Sequence, residues 1–274
     1  MSEAIKQFSV HRLRQQSLQQ AIDQLAVEEP LEIRLNGQPL AVVMRTPGDD
    51  FELARGFLLS EGLLTDTTGS LACLPDIDWA RDEFGLPIPN VVACSMVTLP
   101  AATVATAQRR LYATSSCGIC GRATLERIFL QAPALKRHFT LTHAALNQLP
   151  ERLVAAQSNF FRTGSLHAAA LFTACGELVK VCEDIGRHNA VDKVLGWALS
   201  QGLYPLADYG LLVSGRLSFE MAQKALLAGI SFVVAISAAS SLAVELAGAT
   251  GMALAGFVRD GQAVIYAGHE RITP

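Results

Sequence analysis

The stretch Tyr209–Ser241, YGLLVSGRLSFEMAQKALLAGISFVVAISAASS, decides the fold. Two short apolar runs, YGLLVS and SFVVAIS, flank a helical stretch over Ser218–Ala228, and each run empties into a serine-rich turn. Reading outward, HAAALF and LVKVCE precede this unit and MALAGFV follows it, with further helical stretches at Asn189–Ser200 and Ser240–Ala249. Strand and helix alternate from about His167 onward, which predicts an α/β layer structure. Ser218 and Ser240 each stand where a hydroxyl caps the first turn of a helix.

The first half reads differently. A polar and ragged opening segment leads to LEIRLNGQPLAVVMRT, where Asn36-Gly37 between alternating apolar runs signals a hairpin of strands near Leu31–Leu35 and Leu40–Arg45. After the Pro47-Gly48 turn, Asp49 or Asp50 opens a helix with Phe51, Leu53, Ala54, Phe57 and Leu58 on one face, ending near Gly62. Thr65–Asn90 is rich in Pro, Gly and Asp and reads as irregular. Asn90–Leu99 reads as another strand. A helix is expected over Thr124–Gln131, so the loop before it, Ser115–Gly121 or SSCGICG, feeds a helix start. The expected organisation is a smaller α+β domain at 1–135, closing with that loop and helix, and an α/β domain at 136–274.

Composition narrows the function classes. The chain has 274 residues, 50% of them hydrophobic and 17% charged, enough for a buried core in one large or two modest domains. A formal net charge of -3 gives no reason to expect nucleic acid or an anionic membrane as partner. The amino terminus offers no apolar run for a signal peptide, and the seven-residue run Ile230–Ile236 falls far short of the roughly 20 apolar residues of a membrane span. A cytoplasmic location is expected, with the six cysteines reduced.

Chemistry concentrates in two places. If the strands before them are parallel, the turns Ser214–Ser218 and Ser237–Ser241 lie at the carboxyl ends of a sheet, where helix starts offer N–H groups and a positive dipole end to anions. Ser214, Arg216, Ser237 and Ser240 are therefore candidate phosphate contacts, with ordinary serine capping as the alternative. Arg187-His188-Asn189 marks another strand-to-helix passage, and His188 either meets a phosphate or is structural. His167, on an apolar strand, reads as a buried residue.

The second place is SSCGICG, with Cys117 and Cys120 three residues apart. A structural zinc needs four ligands, and the chain shows no second CxxC or HxxxH; Cys73, Cys94, Cys175 and Cys182 read as core residues. A thioredoxin-like dithiol would sit in a βαβ frame that is missing here. Zinc-dependent deamination needs HxE and PCxxC, whereas Ser116 precedes Cys117 and Ala168-Ala169 follow His167. Sulfur carriage requires an accessible thiolate in open surroundings, which the serines and glycines supply. Spacing alone leaves these readings side by side.

Six blocks in this order, RTPGDDFELARGFLLSEG, TSSCGICGR, TGSLHAAAL, EDIGRHNAVDKVLG, SGRLSFEMAQKALLAG and SAASSLAVELA, resemble the formate dehydrogenase accessory sulfurtransferase (FdhD) family over nearly the whole chain. The resemblance implies a cytidine-deaminase-like three-layer α/β domain that has lost the deaminase residues. It implies a sulfurtransferase that takes persulfide sulfur from a cysteine desulfurase and passes it to the molybdenum bis-guanine-dinucleotide cofactor (Mo-bis-MGD), which is bound as substrate before it enters formate dehydrogenase. Cys117 maps to the persulfide carrier and Cys120 to its partner thiol. The family's cofactor-binding segment maps to Phe257, Val258, Arg259, Asp260, Gly261 and Gln262, where Asp260-Gly261 also reads as a hairpin turn before AVIYAG. A guanine nucleotide such as GDP is expected to occupy that site, no metal is expected, and the assembly is expected to be a homodimer. The competing reading is a non-enzymatic cofactor-binding chaperone with the cysteines as a redox or zinc clip.

Overall fold

A computed structural model describes residues 3–66, 69–97, 135 and 139–274. The SSCGICG loop with Cys117 and Cys120, and the helix expected over Thr124–Gln131, lie outside the described residues.

The chain opens with a hairpin, β1 (Ile5–Arg14) and β2 (Ser17–Ala26), where the sequence predicts a ragged segment. Gln15 and Gln16 supply the two positive φ angles, 44° and 71°, that a two-residue turn needs, without the usual Asn or Gly. The next hairpin, β3 (Glu29–Leu35) and β4 (Gln38–Arg45), turns at Asn36-Gly37 as its dipeptide predicts, with φ of 49° and 78°. Helix α1 (Asp50–Ser60) follows. The supposedly irregular stretch then forms β5 (Asp76–Arg81) and the start of β6 (Pro87–Ser95). These strands make a four-stranded sheet in the order β4-β3-β6-β5, with β3 and β6 parallel. Proline is tolerated at the first residues of β6, where few ladder bonds are lost.

The second half runs β7 (Leu141–Thr142), α2 (His143–Ala156), α3 (Ser158–Thr163), β8 (His167–Phe172), β9 (Leu178–Asp184), α4 (Arg187–Ser200), β10 (Gly210–Val213), α5 (Phe219–Leu227), β11 (Phe232–Ala235), α6 (Ser241–Thr250), β12 (Ala253–Arg259), β13 (Gln262–Ala267) and β14 (Ile272–Thr273). Its sheet has the order β13-β12-β11-β10-β8-β9. Strands β10, β11 and β12 are parallel, β8 is antiparallel to both β10 and β9, and so β9 through β12 all point the same way. Side chains alternate: Leu211 and Val213 enter one core with α4, α5 and α6, while Leu212 enters a second with α2. The result is the α/β class read from the alternating elements, with helices on both faces of the sheet as the family resemblance implies. Among the described residues no helix is long and apolar enough to cross a membrane.

The first core continues without a break from Leu31 and Ile33 through Leu53 and Leu58 of α1 to Val191 and Leu195 of α4. Helices α1 and α4 approach so closely that a Cβ on Gly56 would overlap the Asp192 carbonyl, and one on Gly196 the Glu52 carbonyl. Polar groups fasten the same contact. Lys224 Nζ donates to both Asp192 carboxylate oxygens at 2.7 and 2.8 Å and to Ser60 Oγ at 2.8 Å, all within the protein interior. Nearby, Lys193 pairs with Asp184 at 2.8 Å, and Asp184 accepts from the Thr46 backbone N–H. Each of these four buried charges is thus matched, and removing one partner of such a pair costs about 3–5 kcal/mol.

Replacing Gly196 with alanine is expected to lower stability by about 1–3 kcal/mol through overpacking. Gly248 of α6 has open space around its Cβ position, so Gly248→Ala is expected to raise stability by roughly 0.5–1 kcal/mol. Urea melts giving both variants the same midpoint shift would contradict this packing. A second expectation concerns acid. Burial, with Lys224 and Arg187 close by, pushes His188 down to about 4, against the opposing pull of Glu220; His167 adds a further lowering. The unfolded chain then binds the extra proton between that value and the ordinary 6.5, so stability falls as pH drops through this window. The urea midpoint should decline from pH 7 to pH 5 less steeply in His188→Gln than in the wild type; equal slopes would refute the assignment.

Candidate functional site

Because β9 through β12 share a direction, their carboxyl ends bring four segments to one edge of the sheet. These are the β9–α4 passage with Arg187, the turns Ser214–Ser218 and Ser237–Ser240, and the β12–β13 turn. The start of β8, with His167, joins them because β8 runs the opposite way. The parallel strands on which the phosphate reading depends are therefore present.

The two serine-rich turns lie side by side. Leu217 N donates to the Ala238 carbonyl and Ser240 N to the Leu217 carbonyl, each at 2.9 Å. Their hydroxyls do different work. Ser214 Oγ accepts from Ala168 N at 2.9 Å and so pins β10 to β8. Ser240 Oγ accepts from Ala243 N at 3.3 Å, the capping role that the sequence left as the alternative. Ser218 heads α5 without making a side-chain cap. Its buried Oγ forms no well-aligned hydrogen bond, although it lies near enough to Glu220 to help hold that carboxyl below its usual range against the upward push of burial. Ser237 offers its carbonyl to Phe257 N at 3.1 Å, joining the second turn to the end of β12. Arg216 is exposed.

The segment from Phe257 to Gln262 behaves as a hairpin. Asp260 and Gly261, with φ of 52° and 72°, turn the chain so that Arg259 faces Gln262 across it. Phe257 also takes a positive φ, at a register shift, and is 38% exposed, with the Arg259 guanidinium 6.0 Å from its ring. Val258 is wholly buried in the second core and offers no surface to a ligand. The other positions of the segment are exposed.

Arg187 is the residue that the sequence placed at a passage without counting it among the phosphate contacts. Its Nε is buried and has no hydrogen-bond partner. A Cβ at Gly215 would sit 3.6 Å from Arg187 Cδ and 3.5 Å from His167 Nδ1, so the glycine, the arginine and the histidine converge. His167 is half-buried at this edge rather than part of the core, and burial together with Arg187 keeps its pKa below the ordinary value. The available signal was Gly186-Arg187 opening a helix directly after a strand. An unsatisfied buried guanidinium N–H beside two helix starts suits an anionic oxygen.

Four cysteines outside the CxxC can be placed. Cys94 and Cys182 are buried, and burial pushes each thiol up to about 12, so neither is a thiolate at neutral pH. Cys73 is half-buried. Cys175 departs from the core reading: it is exposed on the turn between β8 and β9. Among the described residues, no group of three His, Cys, Asp or Glu side chains is placed to hold a metal.

The chain is 48% identical to the sulfur carrier protein FdhD of Streptomyces avermitilis, over 99% of this chain and 97% of that one. It is 46% identical to the sulfur carrier protein FdhD of Mycobacterium tuberculosis (96% and 97% covered) and 38% identical to that of Saccharolobus solfataricus (99% and 100%). A crystal structure of a provisionally assigned formate dehydrogenase accessory protein from Desulfotalea psychrophila superposes with a TM-score of 0.74 at 22% identity, covering 98% of this chain and all of that one, and so shares the fold. The FdhD/NarQ family model matches residues 26–273, and the chain belongs to the FdhD/NarQ family.

Proposed function

We propose that this protein is a sulfur carrier that serves formate dehydrogenase maturation, acting as a sulfurtransferase. The observation that carries the reading is identity of 38–48%, over nearly the full length of both chains, to proteins named for sulfur carriage. In the proposed reaction a cysteine desulfurase presents a persulfide. The Cys117 thiolate attacks its outer sulfur, the desulfurase cysteine leaves as a thiolate, and Cys117 holds the sulfur as its own persulfide. Cys120, three residues along the chain, is the second thiol, which would protect or release that sulfur. The acceptor is the molybdenum of Mo-bis-MGD, bound as substrate.

The carboxyl edge of the six-stranded sheet is the proposed cradle for the dinucleotide. Its phosphates would take the unpartnered Arg187 Nε and the free N–H groups at the starts of α4 and α5. Arg216 and Arg259, both exposed, would close over the outer phosphate oxygens, and the Phe257 ring offers a flat surface for a guanine. The depressed pKa values of His167 and His188 keep both imidazoles neutral near pH 7. Each can then donate one N–H to the cofactor without adding charge. Ser214 and Ser240 act mainly through the structure, holding their turns in place.

The test is to incubate the protein with a desulfurase and sulfur-35 cysteine. Label stable to gel filtration and released by dithiothreitol is expected on the wild type and absent from Cys117→Ala. Equal labelling of the two proteins would remove Cys117 as the carrier.

A further inference from the structure

A cavity of about 610 Å³ lies between the amino-terminal sheet and the start of α1. That volume falls within the range of specific ligand pockets. Its apolar walls are Pro47, Phe51, Trp79, Pro87, Ile88 and Pro89, with the Phe51 and Trp79 rings tilted together at 5.3 Å. Arg45 lines it too and is 1% exposed. Its Nε donates to Asp50 at 2.7 Å and its Nη2 to Asn90 at 2.8 Å, while Nη1 makes no hydrogen bond and has the Glu29 carboxylate at 3.5 Å. Asp49 and Asn90 hold positive φ angles of 53° and 58° at its margin, a conformation that these two residue types accept more readily than other side chains.

We propose that this cavity docks an extended segment of a partner protein in which an apolar or proline residue precedes a lysine or arginine. Aromatic and proline walls suit a polyproline-type segment, whose conformation costs little to order and whose carbonyls are free. One such carbonyl would take Arg45 Nη1, the buried donor left open. The charge at the site then selects the neighbour. Asp49, Asp50 and Glu52 line the cavity against the lining cation Arg45, with Lys180 3.8 Å from Asp49, so a cation is favoured and a phosphate repelled. This distinguishes the cavity from the carboxyl edge, where the unmatched buried group is a guanidinium. The hairpin that supplies Pro87 also exposes Phe84 (79%) and Leu86 (62%), which extend the apolar surface beyond the cavity.

The protein has two tryptophans, so Trp197→Phe leaves Trp79 as the reporter inside the cavity. The probe is the peptide acetyl-PLPRA-amide, with acetyl-PLPEA-amide as its charge-reversed control. A saturable change in Trp79 emission is expected with a midpoint of about 1 mM or below. Affinity should fall about threefold or more for the glutamate peptide and in Asp49→Asn/Glu52→Gln, two isosteric changes whose fold is checked by an unchanged melt. Asparagine also accepts the positive φ at position 49. No response to the arginine peptide at ~10 mM, or equal binding of both peptides, would overturn the proposal. So would saturation of the Trp79 signal by GDP, since the cavity would then be a nucleotide site.

Discussion

The structure depends on the approach of α1 to α4, which two glycines permit. Gly56 and Gly196 leave no room for a side chain between the helices, and each faces a backbone carbonyl of the other helix. Close packing of this kind aligns the buried ions: Asp192, on the same turn of α4 that meets Gly56, reaches both Ser60 of α1 and Lys224 of α5. Thr46, just before α1, is likewise tied to Asp184 and Ile185 at the passage into α4. The helix whose first residue is Arg187 is therefore fixed by the amino-terminal half as well as by its own sheet. A buried charge without its partner is far costlier than the pair, so the contact also specifies one arrangement of the two halves.

Much of this was legible in the chain. Apolar runs of four to seven residues ending in serine-rich turns identified the strands of the large sheet and the helices between them, and Asn36-Gly37 identified its hairpin. The opening hairpin was not, because its strands face solvent on most positions and carry glutamine and arginine where a strand signal needs alternation. Strand β5 was hidden by aspartates at Asp76 and Asp78, which a strand at the edge of its sheet tolerates on its exposed side. Edge position, a tertiary property, outweighed local propensity in both places.

The candidate site divides in the same way. Sequence reasoning placed the serine turns and the Phe257–Gln262 hairpin correctly along the chain, but residue type alone could not say which hydroxyls are already engaged. Ser214 and Ser240 are committed to backbone partners, whereas Arg187, at an equivalent passage, keeps a buried N–H unpaired. That distinction depends on how β8 lies against β10, a long-range pairing. His167 moved from core to site for the same reason: it begins a strand that runs against its neighbours, so it faces the end where they finish. Electrostatics then separates two regions, a carboxyl edge with an unpartnered guanidinium N–H and an amino-terminal cavity whose lining carboxylates outnumber its lining cation.

The central claim is that the carboxyl edge binds a guanine nucleotide through Arg187, and calorimetry with GDP tests it most directly. Arg187→Gln removes the charge while keeping most of the side chain, and it is predicted to weaken GDP binding about tenfold or more, the worth of one charge-assisted hydrogen bond. Undiminished affinity in that variant, with the wild type binding GDP, would contradict the account.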